Sequence, residues 1–303
     1  MESLSESFEY PRTADEVTEE MLSMPAERLQ QLSRYPLLIT PTKQALYEHI
    51  ASLMADELRA RNERGEPTRW ILPLGPKAQY PILARITNDE RISWRNVWAF
   101  HMDEWLDWQG RPVPYGHPFS MRRYAFEHLY ELIDPELLPP REQIVYPDVY
   151  DIDAYSKMIS EVGGIDATFA GFGYRGHLAF NETPVNRWQY ISADEFAAGK
   201  TRIVHLLDDS IIAHSQRAMG GYSQTLPQMA ITVGMADILS SCTIHLLTDG
   251  GPWKQWMLRV FLLTTERDPR YAMTLCHGHP DVRVAVDASS AAPINPWFGR
   301  DPS

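Results

Sequence analysis

Asp166-Ala167-Thr168-Phe169-Ala170-Gly171-Phe172-Gly173-Tyr174-Arg175-Gly176-His177-Leu178-Ala179-Phe180-Asn181-Glu182 is the stretch on which the reading of the fold turns. Its first half is apolar at almost every position rather than at every second one. That is the pattern of a strand covered on both faces, as in the interior of a parallel sheet. Working outward, the same kind of run recurs at Arg69–Leu74, Val97–Met102, Arg202–Leu206, Ala230–Val233, Thr243–Thr248 and Val282–Val286. Helix-length stretches lie between them, at Thr42–Asn62, Ala78–Asn88, Pro118–Leu132, Ile152–Gly163, Asp209–Met219 and Trp253–Thr265. Strand–helix alternation predicts an α/β fold: a doubly wound, mostly parallel, Rossmann-like sheet with helices on both faces. Residues 1–40 are polar and proline-bearing and read as an N-terminal arm, with 41–303 as a single α/β domain. Ligands of such sheets bind outside the carboxyl ends of the strands, so the residues just after strands are the ones to search.

The totals narrow the field of partners. A chain of 303 residues with 44% hydrophobic and 22% charged residues is an ordinary globular composition. Its formal net charge of -12 argues against nucleic acid and anionic membrane, both of which require a positive field. Cys242 and Cys276 are too few for a disulfide framework. No apolar run reaches membrane-helix length, and the acidic start Met1–Tyr10 does not read as a signal peptide. A cytoplasmic location is expected by elimination.

Four segments follow strands with unusual chemistry. Phe100–Trp105 places the carboxylates Asp103 and Glu104 at a strand end. They are either a solvated terminus or a general base, because a carboxylate fixed at a strand tip can move a proton between neighbouring carbons. Gly171–Glu182 lets the backbone approach a ligand at Gly173 and Gly176. His177 follows, with Glu182 close enough in sequence to fold back and orient the imidazole. Gly250-Gly251-Pro252-Trp253-Lys254 opens a helix after a strand, where free amides and the lysine favour an anion. Leu72-Pro73-Leu74-Gly75-Pro76-Lys77 is a similar but weaker turn, since Pro76 has no amide proton to donate.

Other sites are poorly supported. Cys276-His277-Gly278-His279 offers metal-ligand types without a second cluster at zinc spacing, so no metal is expected. No Gly-x-Gly-x-x-Gly opens a helix after a strand with an acidic residue beyond, which argues against a dinucleotide, and no cofactor is expected. Trp98, Trp105 and Trp108 could line a sugar pocket, yet tryptophan near an interior strand is more often packing.

Three stretches resemble the glucosamine-6-phosphate deaminase/isomerase family, within the superfamily that includes 6-phosphogluconolactonase. Phe100–Trp105 with His117-Pro118-Phe119-Ser120 is similar to the family's Met-Asp-Glu-aromatic and His-Pro-x-Ser segments. Gly171–Pro184 is similar to its Gly-His-x-Ala-Phe-Asn-Glu loop, and Ile231-Thr232-Val233-Gly234-Met235 to its Leu-Thr-Val-Gly segment, with Lys254 beyond. The Ala-Phe-Asn-Glu ending favours the deaminase branch over the lactonase branch. The resemblance implies a sugar-phosphate isomerase or deaminase that uses no metal. It gives Asp103 the role of general base between C1 and C2, and His177 that of ring opening with Glu182 behind it. Arg217 and Lys254 take the phosphate, with Glu104, Gly75, Lys77, Gly173, Arg175 and Gly176 around the substrate. Family members range from monomers to hexamers, so homo-oligomers are compatible with the resemblance.

The chain departs from that pattern in several places. Arg175 stands where the family has an acidic residue two positions before the histidine, which either weakens the carboxylate relay or meets an anionic group of a different substrate. Leu74-Gly75-Pro76-Lys77 replaces a hydroxyl-rich phosphate turn, with Lys77 as the substitute cation. The segment between Glu182 and Arg202 is longer than the family's and is expected to reshape the lid. Val204 occupies the place of a lysine found in allosterically regulated members. Two alternatives follow from these departures: a 6-phosphogluconolactonase-like hydrolase, and a non-catalytic sugar-phosphate-binding regulator.

Overall fold

The computed structural model describes residues 8–184 and 190–294. Ten strands occur among them: β1 (Leu37–Thr40), β2 (Thr68–Leu72), β3 (Val97–His101), β4 (Asp103–Leu106), β5 (Ile144–Val145), β6 (Ala167–Gly171), β7 (Arg202–His205), β8 (Met229–Thr232), β9 (Thr243–Thr248) and β10 (Val282–Asp287). Seven of them form one sheet in the order β1-β10-β9-β6-β2-β3-β5, and every neighbouring pair is parallel. The expected doubly wound α/β architecture is therefore present. Its central strands are buried on both faces, and the pleat divides their side chains between two cores. Trp70 and Leu72 join a cluster with Leu46, Ile50 and Leu83, whereas Ile71 and Phe100 join one with Phe172 and Phe261.

The helices between strands start and stop for local reasons. Lys43–Arg64 begins where the Thr42 hydroxyl accepts from the Ala45 amide at 3.1 Å. It ends at Gly65, whose φ of 69° is the left-handed cap glycine takes without strain. No described helix is long and apolar enough to cross a membrane.

Two expectations are corrected. Arg202–Leu206 and Ala230–Val233 were expected in the parallel sheet, but β7 and β8 pair antiparallel with each other and with β4 in a separate sheet of order β4-β8-β7. The side chains of β7 alternate between half-buried and exposed, as a strand wet on one face requires. Secondly, Asp103–Glu104 is not the end of a strand but the start of β4. Met102 is the junction: its amide donates to Leu72 at 3.3 Å in the first sheet, and its carbonyl accepts from Val233 at 2.7 Å beside the second. The stretch expected as an arm closes with β1, which adds to the sheet edge beside β10.

The segment before β1 is tied down by one buried cation. Arg259, fully buried on the helix Gln255–Leu263, donates to the carbonyls of Met21 (3.1 Å), Met24 (3.0 Å), Ala292 (3.0 Å) and Gln255 (3.2 Å). Four carbonyl dipoles solvate the guanidinium where no carboxylate among the described residues does, and the same bonds hold both ends of the described chain against one helix. Arg259→Leu is expected to destabilise the fold by about 2–4 kcal/mol in urea titration, because buried carbonyls lose their donors. Limited proteolysis should then cut ahead of Leu37 before any other site.

Candidate active site

The site forms where the two sheets part, at the carboxyl ends of β2, β3, β6 and β9. A cleft of about 740 Å³, mouth included, is lined by Gly75, Asp103, Gly173, His177, His214, Arg217, Asp249, Trp253 and Lys254, among others. The residues expected to act together, Asp103, His177, Arg217 and Lys254, thus share one cavity.

Asp103 and Glu104 are both buried, and strand pleating sends them to different surroundings. Glu104 accepts from the amides of Trp105 (2.9 Å), Met121 (2.8 Å) and Arg122 (3.1 Å), and from Arg122 Nε at 3.0 Å. It lies at the N-terminus of the helix Met121–His128, where the orphan amides and the dipole favour an anion. Glu104, expected around the substrate, is held by these donors and does not line the cleft. Asp103 has no such compensation. Burial first, and then the neighbouring Glu104 charge, push its carboxyl up to about 8.

The loop after β6 is folded around the histidine. Gly173 donates to the His177 carbonyl at 2.8 Å, and Phe172 bridges Leu178. A β-carbon on Gly173 would lie 1.7 Å from His177 Nε2, so the ring occupies the space a side chain would need. The loop is pinned to the second sheet. Phe180 N–H donates to Thr232 Oγ1 at 3.0 Å, and buried Asn181 donates to the Val233 carbonyl at 2.8 Å. Behind the ring, His177 Nδ1 lies 2.9 Å from Glu182 Oε1, although the N–H is not aimed squarely at the oxygen. Burial alone would raise the Glu182 carboxyl, but His177 and the Leu207 amide (2.7 Å) hold it below its ordinary value. Glu182 faces a second cleft that meets the first at His177.

At the cationic end, Lys254 is buried over the rings of Trp253 (4.3 Å) and Phe172 (5.3 Å). Burial, reinforced by Arg217, brings its ammonium down to about 7. A β-carbon on Gly250 would meet Lys254 Cγ at 2.0 Å, so this glycine lets the lysine fold back over the turn. Arg217 sits 5.0 Å from the Trp253 ring and 3.3 Å from Asp249, which Tyr47 also holds through its hydroxyl.

Several residues expected around the substrate do not line this cleft. Lys77 turns away from the cleft onto the Tyr124 ring at 3.9 Å, because Pro76 and the start of the helix Gln79–Glu90 point it outward. Arg175 pairs with Asp209 and lines the second cleft. Gly176, at φ 72°, serves the turn, and its carbonyl accepts from Met273 at 2.8 Å. Trp98, Trp105 and Trp108 do not line the cleft; Trp105 packs on Phe180 and Trp108 is exposed. The expected lid partly falls on 185–189, outside the described residues. His214 and Asp249 were missed. His214 stands on the same helical face as Arg217, and Asp249 directly precedes the Gly250-Gly251 turn, so spacing alone could have found both.

The metal-ligand types in Cys276–His279 serve packing: His277 Nδ1 bonds Tyr35 at 2.5 Å and His279 Nε2 bonds the Ser241 carbonyl at 2.8 Å. Among the described residues, no cluster of three His, Cys, Asp or Glu side chains is placed to hold a metal ion.

No family-wide sequence profile matches the chain. It is 30% identical over 225 residues to glucosamine-6-phosphate deaminase of Borrelia garinii subsp. bavariensis, covering 71% of this chain and 76% of that one. The enzyme of the same name from Caenorhabditis elegans is 29% identical over 220 residues, again 71% and 76%. Among solved structures, a monomeric glucosamine-6-phosphate deaminase superposes with a TM-score of 0.70 at 23% identity, over 84% of this chain and 98% of that one. The 6-phosphogluconolactonase from Trypanosoma cruzi superposes with a TM-score of 0.61 at 17% identity, over 85% and 96%. With the strand-end cleft and this degree of identity together, the chain belongs to the glucosamine-6-phosphate deaminase family.

Proposed function

We propose that this chain is an aldose–ketose isomerase and deaminase acting on glucosamine 6-phosphate or a closely related hexosamine phosphate. The observation that carries the reading is a single cleft holding Asp103, His177, Arg217 and Lys254. His177, backed by Glu182, transfers a proton at the ring oxygen and opens the pyranose. Asp103 takes the C2 proton and returns it to C1, while the C1 oxygen gains a proton and the amine gives one up, which converts the open-chain amino aldose to an imine at C2. Water adds to that imine, ammonia leaves, and the ketose phosphate remains. Arg217 and Lys254 bind the phosphate; one is a planar fork, the other a point charge. Asp249 competes with the phosphate for Arg217. The net charge of -12 and the unpaired Cys242 and Cys276 support a cytoplasmic enzyme with no nucleic-acid partner.

Incubating the protein with glucosamine 6-phosphate in deuterated water should give ketose phosphate, ammonia and deuterium at the transferred position. Absence of all three across hexosamine and hexose phosphates sinks the proposal, and hydrolysis of 6-phosphogluconolactone in their place would favour the hydrolase reading. Asp103→Asn should lower kcat by about a thousandfold with KM little changed, since it removes the base and keeps the shape. A base must be ionised, and a carboxyl raised to about 8 gains ionised form as pH rises. Lys254 loses its charge above about 7, so the kcat/KM profile should be bell-shaped, falling roughly tenfold per pH unit below about 7 and again above about 8, and an acid limb near the ordinary carboxylate range would contradict the burial argument. Asp249→Asn should lower KM for the phosphate ester about fivefold, on the order of 1 kcal/mol, with kcat unchanged.

A further inference from the structure

One imidazole in the cleft has no part in the reaction described above. His214 lies on the helix Asp208–Met219, one turn before Arg217, and both residues line the cleft. Its ring is nearly parallel to that of His177, with centroids 6.4 Å apart and planes 18° from parallel. Trp105 (6.2 Å) and Phe180 (6.2 Å) meet it edge to face and fix its tilt. Among the described residues no protein group hydrogen-bonds to it. Burial, followed by the charges of His177, Arg217 and Lys254, pushes it down to about 4, so it stands neutral with one donor and one acceptor. That pair of functions matches a hydroxyl group, which also gives one of each.

We propose that His214 contacts the substrate and determines which hydroxyl configuration along the middle of the sugar is accepted. The proposal rests on the isomerase reading. With C1 and C2 held by Asp103 and His177 and the phosphate by Arg217 and Lys254, the intervening carbons pass between these groups. His214 is adjacent to both, touching His177 through ring packing and Arg217 through helix geometry. A site built around a hydrogen bond to a hydroxyl discriminates strongly against a substrate that presents it wrongly, because the buried polar group is then unpaired.

The test compares kcat/KM for glucosamine 6-phosphate and its C4 epimer, galactosamine 6-phosphate, in the wild type, His214→Leu and His214→Gln. The leucine variant should compress the ratio between the two epimers by about tenfold or more, mainly by slowing the better one. The glutamine variant, which keeps a donor and an acceptor, should hold the ratio within about threefold of wild type. A ratio unchanged in the leucine variant, whether the individual rates hold or fall together, overturns the assignment, because a merely structural role affects both sugars alike. If the wild type exchanges the C2 proton of neither epimer, the isomerase reading fails and takes this one with it. Wild-type turnover with an unaltered ratio in the leucine variant defeats only the role of His214.

Discussion

Two neighbouring carboxylates are buried in one four-residue strand, and the pleat gives them opposite surroundings. Glu104 is surrounded by amides, a helix terminus and Arg122, all of which stabilise its charge. Asp103 faces the cleft with none of these and is pushed toward its neutral form. The difference depends on β4 running between two sheets. Had the chain stayed in the parallel sheet after Met102, both carboxylates would have met either solvent or core. The short antiparallel sheet holds β4 in place and, through Thr232 and Val233, also fixes the loop that carries His177. Asp103 and His177 therefore share one supporting element, though they lie far apart in the chain.

The cationic end follows a different logic. Positive charge is present, but it is moderated: Lys254 is buried against aromatic rings, and Arg217 is shared with Asp249. Lys77 and Arg175, which look in sequence like extra cations for an anionic substrate, are each held elsewhere, one on an aromatic face and one by an acidic helix start. The cleft is thus less positive than a count of basic residues near the motifs suggests. That restraint suits the proposed phosphate ester, which keeps its phosphate through the reaction, since a deeper electrostatic well would hold the product as firmly.

Most of the parallel sheet was legible because two-sided burial writes itself as runs apolar at most positions, as in Val97–His101 and Ala167–Gly171. The strands that escaped notice are those for which burial leaves no such mark. Leu37–Thr40 is a short edge strand after a proline, and Ile144–Val145 is two residues long. Asp103–Leu106 opens with two acidic residues, a composition that speaks against a strand until the amides around Glu104 are seen. The separation into two sheets was not legible either, because partner choice depends on the junction at Met102 rather than on any local run. In the site, the positions of Asp103, His177 and Lys254 followed from their places after strands. The orientations of Glu104, Lys77 and Arg175 did not, for a side chain's direction is decided by what packs against it.

The ring of His177 fills the volume that any side chain at position 173 would occupy. Glycine there is usually credited to backbone freedom, yet here it is a vacancy reserved for a neighbour. The order in which these two positions can diverge is consequently fixed. Bulk becomes admissible at 173 only in a lineage that has already given up the imidazole or moved it from this place, and a descendant that has filled the gap has no simple way back.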